Sequence, residues 1–189
     1  MIRALLMLAA LSACGAQGPG LSAAMEEIAV QRMRFTLEAV CVNNRTRRAQ
    51  ARVAETMSFP ERQRDNGTVF YLNPGTLTVL ALSTDAPLTL ITEDGHRLSY
   101  RRDACAVGSP VVGVQAANRI MGEILAPRLV DGSNLAVSGV AFGQNRLGGT
   151  AFYFEDLAVI QDVVDVSVFD PETGATEIFS HPVVLVLHR

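Results

Sequence analysis

The feature that most constrains the fold is a series of short β-rich segments separated by turn residues. In the first half of the chain they cover residues 69–72, 77–82, 88–92 and 96–102. Turn-forming residues such as Asn73-Pro74-Gly75 lie between them. Consecutive strands joined by short turns usually pair with their neighbours, so these four segments predict one antiparallel meander.

A second series of β-rich segments occupies the second half of the chain. It covers residues 135–142, 150–154, 163–169, 175–179 and 183–188, and the composition of residues 171–174 predicts a turn. Both series follow a stretch with helical spacing of apolar residues. The chain therefore predicts helices that alternate with runs of strands.

The first predicted helix runs from Ser22 to about Val42, where Asn43 and Asn44 mark a stop. Residues 33–41 also alternate between apolar and polar, so a strand over part of this stretch is the alternative. The second helix is predicted from about Val111 to Ala126, because Pro127 should end it.

A weak internal similarity suggests a duplication. Residues 53–72 align without gaps to residues 135–154, with identical pairs such as Phe70/Phe152 and Tyr71/Tyr153. The alternative is that two strands simply begin with the same residue types. We expect an α+β fold with two helices packed on a mainly antiparallel sheet. A tandem duplication of a helix-plus-meander unit, residues 21–108 and 109–189 sharing one compact domain, is left open.

Composition limits the functional classes. With 49% hydrophobic and 19% charged residues, the 189-residue chain is not disordered as a whole. The formal net charge of −3 argues against a nucleic-acid partner. All 16 basic residues are arginine, so lysine chemistry such as Schiff-base formation is excluded.

Near the start, an apolar run over residues 2–10, interrupted by Arg3, leads into Leu11-Ser12-Ala13-Cys14. This stretch resembles a bacterial lipobox. The resemblance implies that residues 1–13 are a signal peptide, that Cys14 carries lipid, and that the mature chain is anchored to a membrane. Residues 14–20 are mostly small, and this composition predicts a flexible tether.

Two alternatives to the lipobox are a transmembrane anchor, for which the apolar run is short, and ordinary secretion with cleavage after Ala13. The cysteine count favours lipidation, because it leaves Cys41 and Cys105 as a pair that should form a disulfide in an exported protein. Gly15 is not the Asp that retains enterobacterial lipoproteins in the inner membrane. We therefore expect a periplasm-facing envelope protein, at the outer membrane rather than the inner.

The binding residues predicted first are arginines that follow the first helix: Arg45, Arg47, Arg48 and Arg52, then Arg62 and Arg64, with Arg101 and Arg102 brought near by the disulfide. Such a group suits phosphate or carboxylate on an envelope protein or another anionic envelope component. A solvated charged surface is the alternative. A second hypothesis is a small-ligand groove between the repeats, lined by Tyr71 and Tyr153.

Catalytic motifs are missing from the sequence. The histidines His96, His181 and His188 have no zinc-binding spacing, and no Gly-x-Ser-x-Gly elbow is found. We therefore expect no cofactor or metal and a non-catalytic protein. A hydrolase with a spatially assembled site around His96 or His181 is the alternative.

Overall fold

The computed structural model describes residues 23–84, 88–100, 103–142, 150–169 and 174–189. Its α-helices are α1 (Ala23–Thr36), α2 (Arg47–Thr56) and α3 (Val114–Val130), and α1 continues directly into a π-helix, Leu37–Val42. The strands are β1 (Glu61–Asp65), β2 (Thr68–Asn73), β3 (Thr78–Ser83), β4 (Leu88–Thr92), β5 (Arg97–Tyr100), β6 (Ala104–Gly108), β7 (Val137–Phe142), β8 (Ala151–Tyr153), β9 (Leu157–Phe169) and β10 (Thr176–His188).

The strands form two antiparallel sheets. The larger sheet has the order β1-β2-β3-β6-β10-β9-β8, and the smaller has the order β5-β4-β7. The predicted four-strand meander is therefore wrong as a unit. The hairpins β2–β3 and β4–β5 form, but β3 pairs with β6 instead of β4, and β4 pairs with β7. Strands that are distant in sequence compete to pair with the free edges of these hairpins. The burial of apolar faces decides which pairs form.

The large sheet lies between the helices and the small sheet. Its helix-facing side carries residues such as Leu80, Val107 and Val184, which pack with Met33 and Leu37 in the larger core. The opposite side packs against β4 and β5 in a second, smaller core. The predicted α+β fold, with helices packed on antiparallel sheet, is confirmed.

A disulfide links the helical layer to the large sheet. Cys41 in the π-helix is bonded to Cys105 in β6, with 5.4 Å between their Cα atoms. Both residues are completely buried. The predicted pairing is confirmed, and closing a loop with a sequence separation of 64 stabilises the fold by about 4 kcal/mol in the chain-entropy model.

The helices differ from the predicted pair in two respects. The basic segment after Asn44 forms α2, which was not predicted as a helix. Thr46 caps α2 by accepting a hydrogen bond from the backbone N–H of Ala49. Pro127 does not end α3, which continues to Val130. It lies in the last turn, where its missing N–H costs a single helical hydrogen bond.

The two aligned segments share a strand at their ends, β2 and β8, but they differ at their starts. Residues 53–56 belong to α2, whereas the matching residues 135–138 lead into β7. β10, from the second half of the chain, pairs with β6 from the first half. The predicted segments 21–108 and 109–189 therefore contribute strands to the same sheet.

Candidate anion-binding site

Arg62 and Arg64 lie on β1, the edge strand of the large sheet. Arg62 pairs with Tyr71, and Arg64 pairs with Val69. Both partners belong to the core on the helix-facing side. Directly paired residues share a face, so the two arginines continue two core rows out to the edge. One row runs Arg64, Val69, Leu82, Cys105, Val186, Val159.

The first turn of α2 supplies two further arginines. Arg47 and Arg48 are the first residues of this helix, directly after the Thr46 cap, and no acidic residue occupies the first turn. A helix N-terminus carries partial positive charge, and negative groups are normally favoured there. Two arginines at this position therefore add to a positive potential that the backbone already creates.

Residues of α2, β1, β2 and β3 line an open pocket with a volume of about 440 Å³. Its charged lining consists of Arg47, Arg48, Arg62 and Arg64, and Tyr71 contributes to the wall. We call this cavity the arginine pocket and define it by these five residues. The remaining lining comes from the apolar residues Ala51, Val69 and Leu82. The pocket thus combines an apolar floor with guanidinium groups from two different elements.

The four arginines are only partly neutralised. Arg62 pairs with Glu55 at 3.5 Å, and both side chains are about half exposed. Arg47 donates a hydrogen bond of 2.6 Å to the backbone oxygen of Gly67, which carries no formal charge. Within the described ranges, no carboxylate forms an ion pair with Arg48 or Arg64. Both side chains are exposed and available to a ligand.

Tyr71 has a buried hydroxyl with no hydrogen-bond partner in the described part of the chain. The residue is 2% exposed, and the Arg62 guanidinium lies 5.3 Å from its ring centroid. An unsatisfied buried hydroxyl costs about 1–3 kcal/mol. Tyr71 therefore contributes to the pocket lining and also carries a buried O–H donor without a partner in the described structure.

Two of the predicted binding arginines lie outside the pocket. Arg45 pairs with Asp156 at 3.3 Å, and Arg52 is exposed on α2 without lining the pocket. The predicted group Arg45, Arg47, Arg48 and Arg52 is thus split, because the chain turns into α2 at Arg47. Arg62 and Arg64, which belong to the same predicted group, do line the pocket. Their alternation around Gln63 is the signal for a strand with both arginines on one face.

Arg45 belongs to a different charged centre, the Asp156 cluster, which comprises Asp156, Arg45 and Arg128. Arg128 donates hydrogen bonds of 2.6 and 3.2 Å to the two carboxylate oxygens of Asp156. Its guanidinium also lies 5.3 Å from the ring centroid of Phe154. The hydrogen bond from Arg128 holds the pKa of Asp156 below its ordinary value. This cluster joins the end of α3 to the loop before β9.

The groove predicted between Tyr71 and Tyr153 does not form. Tyr71 packs in the core on the helix-facing side of the large sheet, and Tyr153 packs in the core on the opposite side. A sheet therefore separates the two side chains. The small-ligand hypothesis based on this pair is wrong, because the two tyrosines occupy matching positions in the alignment but lie far apart in the fold.

The histidines occupy separate environments. His96 is exposed and lies 3.4 Å from Asp94. His181 is in the middle of β10. His188 is buried and its Nε2 lies 2.7 Å from the carbonyl oxygen of Cys41, so Nε2–H is the donor. Burial lowers the pKa of His188 and favours this neutral form. Among the described residues, no three His, Cys, Asp or Glu side chains group to hold a metal ion.

Several predicted features lie outside the described residues: Cys14, the segments 1–13 and 14–20, Arg101 and Arg102. No helix in the described ranges is long and apolar enough to cross a membrane. Comparison with known proteins is negative throughout, since no family model, no curated protein and no solved structure gives a significant match to this chain.

Proposed function

We propose that the protein is a lipid-anchored, non-catalytic binding module of the bacterial cell envelope. In this proposal Cys14 carries the lipid, and the folded domain faces the periplasm at the outer membrane. The arginine pocket binds an envelope protein or another envelope component through an anionic group. The lipobox supports the location and the pocket supports the binding activity.

The pocket is the observation that carries the binding function. Arginines in a folded domain usually lie apart or pair with carboxylates, because like charges held together repel one another. Here four arginines from α2 and β1 line one cavity, and among the described residues Glu55 is the only carboxylate that forms an ion pair with them. An anionic ligand offsets this repulsion and uses the guanidinium fork geometry.

The lipid anchor is supported by the cysteines. Cys41 and Cys105 are joined in a disulfide, so Cys14 has no partner among them. Lipidation of this thiol would also hold the domain at a surface, where a partner is met at high effective concentration. Replacing Cys14 with Ser is expected to release the protein from the membrane fraction into the soluble envelope fraction.

In-cell crosslinking of the intact lipidated chain tests the binding function. A photoreactive residue placed at Arg52 lies on α2 beside the pocket without replacing any lining residue. The matched control is His96, which is exposed on the β4–β5 turn, in the layer on the far side of the large sheet. We expect specific crosslinked products from position 52 and not from position 96.

Additional Arg48→Gln and Arg64→Gln substitutions should reduce the products obtained from position 52. If position 52 gives only background crosslinks, or the same products as position 96, the binding function assigned to this face is wrong.

A further inference from the structure

The arginine pocket contains guanidinium groups from two different elements. Arg47 and Arg48 come from α2, and Arg62 and Arg64 come from β1. A carboxylate presents two oxygens in one plane, which a single guanidinium fork can match. A phosphate group presents oxygens in several directions and carries a charge of about −2 as a monoester. It therefore suits donors that converge from two sides.

The potential inside the pocket also favours a highly charged anion. Its lining contains four arginines and no carboxylate, and the N-terminus of α2 lies at Arg47. A helix N-terminus is a favourable position for phosphate, because its partial charge and free N–H groups act together. Of the four arginines, Arg48 and Arg64 have no ion pair among the described residues.

The Tyr71 hydroxyl is an independent observation that points to a ligand. Tyr71 is 2% exposed and lines the pocket, yet its hydroxyl has no partner within the described structure. The Arg62 side chain covers its ring but is itself about half exposed. A phosphate oxygen bound beside Tyr71 would supply the acceptor that this hydroxyl lacks.

We propose that the arginine pocket binds the phosphate group of a phosphorylated ligand, with Arg48 and Arg64 as the main charged contacts and Tyr71 as an additional donor. This inference rests on the proposed binding function and specifies the ligand class. The same phosphate chemistry occurs in lipid headgroups and in soluble phosphate esters, so the experiment includes an arm for each source.

Isothermal titration calorimetry of the full chain in a non-ionic detergent measures binding of inorganic phosphate, with acetate at equal ionic strength as the carboxylate comparison. Phosphate is expected to saturate and to bind more tightly than acetate. Arg48→Gln and Arg64→Gln should each weaken phosphate binding roughly ten-fold. Tyr71→Phe should weaken it about three-fold.

Arg52→Gln is the matched control, because Arg52 lies one turn from Arg48 on the same exposed helix surface but does not line the pocket. It should change phosphate affinity less than about two-fold. Thermal unfolding of each variant verifies that it is folded. Absence of saturable phosphate binding, equal affinity for acetate, or equal losses in Arg52→Gln and Arg48→Gln would overturn the inference.

The second arm adds mixed micelles that contain phosphatidic acid, whose headgroup is a phosphate monoester, with phosphatidylcholine micelles as the zwitterionic reference. Competition by phosphatidic acid alone supports a lipid headgroup as the source of the phosphate. Phosphate binding that neither lipid affects supports a soluble phosphate ester. Loss of crosslinked partners with phosphate binding intact contradicts only the proposed envelope-binding function, whereas intact crosslinks without phosphate binding contradict only this inference.

Discussion

Arginines have different surroundings in the arginine pocket and in the Asp156 cluster. In the Asp156 cluster, Arg128 makes two hydrogen bonds to one carboxylate and stacks on Phe154. In the pocket, Arg48 and Arg64 have no carboxylate partner within the described ranges. The first arrangement is complete within the fold, whereas the unpaired charges of the second are the basis of the proposed binding function. Partner geometry, not residue type, distinguishes the two groups of arginines.

The largest effect is expected in the Asp156 cluster. Arg128→Ala removes a bidentate ion pair and a cation–π contact, and both charged side chains are about one third exposed. After allowing for solvent screening, we expect the free energy of unfolding to fall by about 1.5 kcal/mol. Urea denaturation measures this loss.

Arg45→Ala is the control within the same cluster, because Arg45 is 69% exposed. Its loss should cost less than about 0.5 kcal/mol. Equal stabilities of the two variants would show that Arg128 is no more structural than an ordinary surface arginine.

The pH dependence of stability gives a second way to separate the two regions. The pKa of Asp156 is lowered in the folded state, chiefly by the hydrogen bond from Arg128. The ionised form therefore stabilises the fold fully above the unfolded pKa of about 4, and this contribution disappears as the pH falls below that value.

Wild type should consequently exceed Asp156→Asn in stability at pH 7, and the difference should shrink as denaturation is measured at successively lower pH. A difference that stays constant down to pH 3 would assign the effect of the substitution to packing instead of charge.

Loss of a tyrosine hydroxyl should also affect stability differently at Tyr100, which contacts Phe154 beside the Asp156 cluster, and at Tyr71 in the arginine pocket. Tyr100 donates a hydrogen bond of 2.5 Å to the carbonyl oxygen of Phe154, and burial raises its pKa to about 12. Tyr100→Phe should lower the free energy of unfolding by about 1 kcal/mol. Tyr71→Phe removes a buried hydroxyl without a partner in the described structure and should raise the free energy of unfolding by about 1 kcal/mol. Denaturant titrations of both variants test this contrast, and an equal loss in both would contradict it.

The smallest effect is expected in the pocket itself. Arg48→Gln or Arg64→Gln reduces repulsion among like charges, so each should raise the free energy of unfolding by up to about 0.5 kcal/mol at low salt. The gain should disappear at high salt, where surface charges are screened. Unfolding measured at two salt concentrations is the test. A clear loss of stability in both variants would show that these arginines have structural partners after all.

Parts of the fold follow from local residue patterns. The helix over residues 23–42 and the hairpins β2–β3 and β4–β5 were predictable, because side-chain periodicity and turn residues act over a few positions. The extent of α3 was not, since Pro127 is tolerated in a last helical turn. α2 was not predicted, because its buried side consists only of Gln50 and Ala54 and gives no apolar periodicity in the sequence.

The candidate site was only half predictable. The density of arginine after Asn44 pointed to a basic surface, and the disulfide between Cys41 and Cys105 followed from cysteine count. Local sequence patterns do not predict which of the arginines lie close together in the fold. Arg62 and Arg64 join Arg47 and Arg48 because β1 pairs on the edge of the sheet with α2 beside it, whereas Arg45 turns away towards Asp156.

The sequence by itself determined the α+β class, most of the strands and the cysteine pair, because these depend on composition, short-range periodicity and residue count. The tertiary structure alone decided that β3 pairs with β6, that Tyr71 and Tyr153 lie on opposite sides of a sheet, and that four arginines share a pocket. Those outcomes depend on which distant apolar faces bury one another, and that competition involves the whole chain at once.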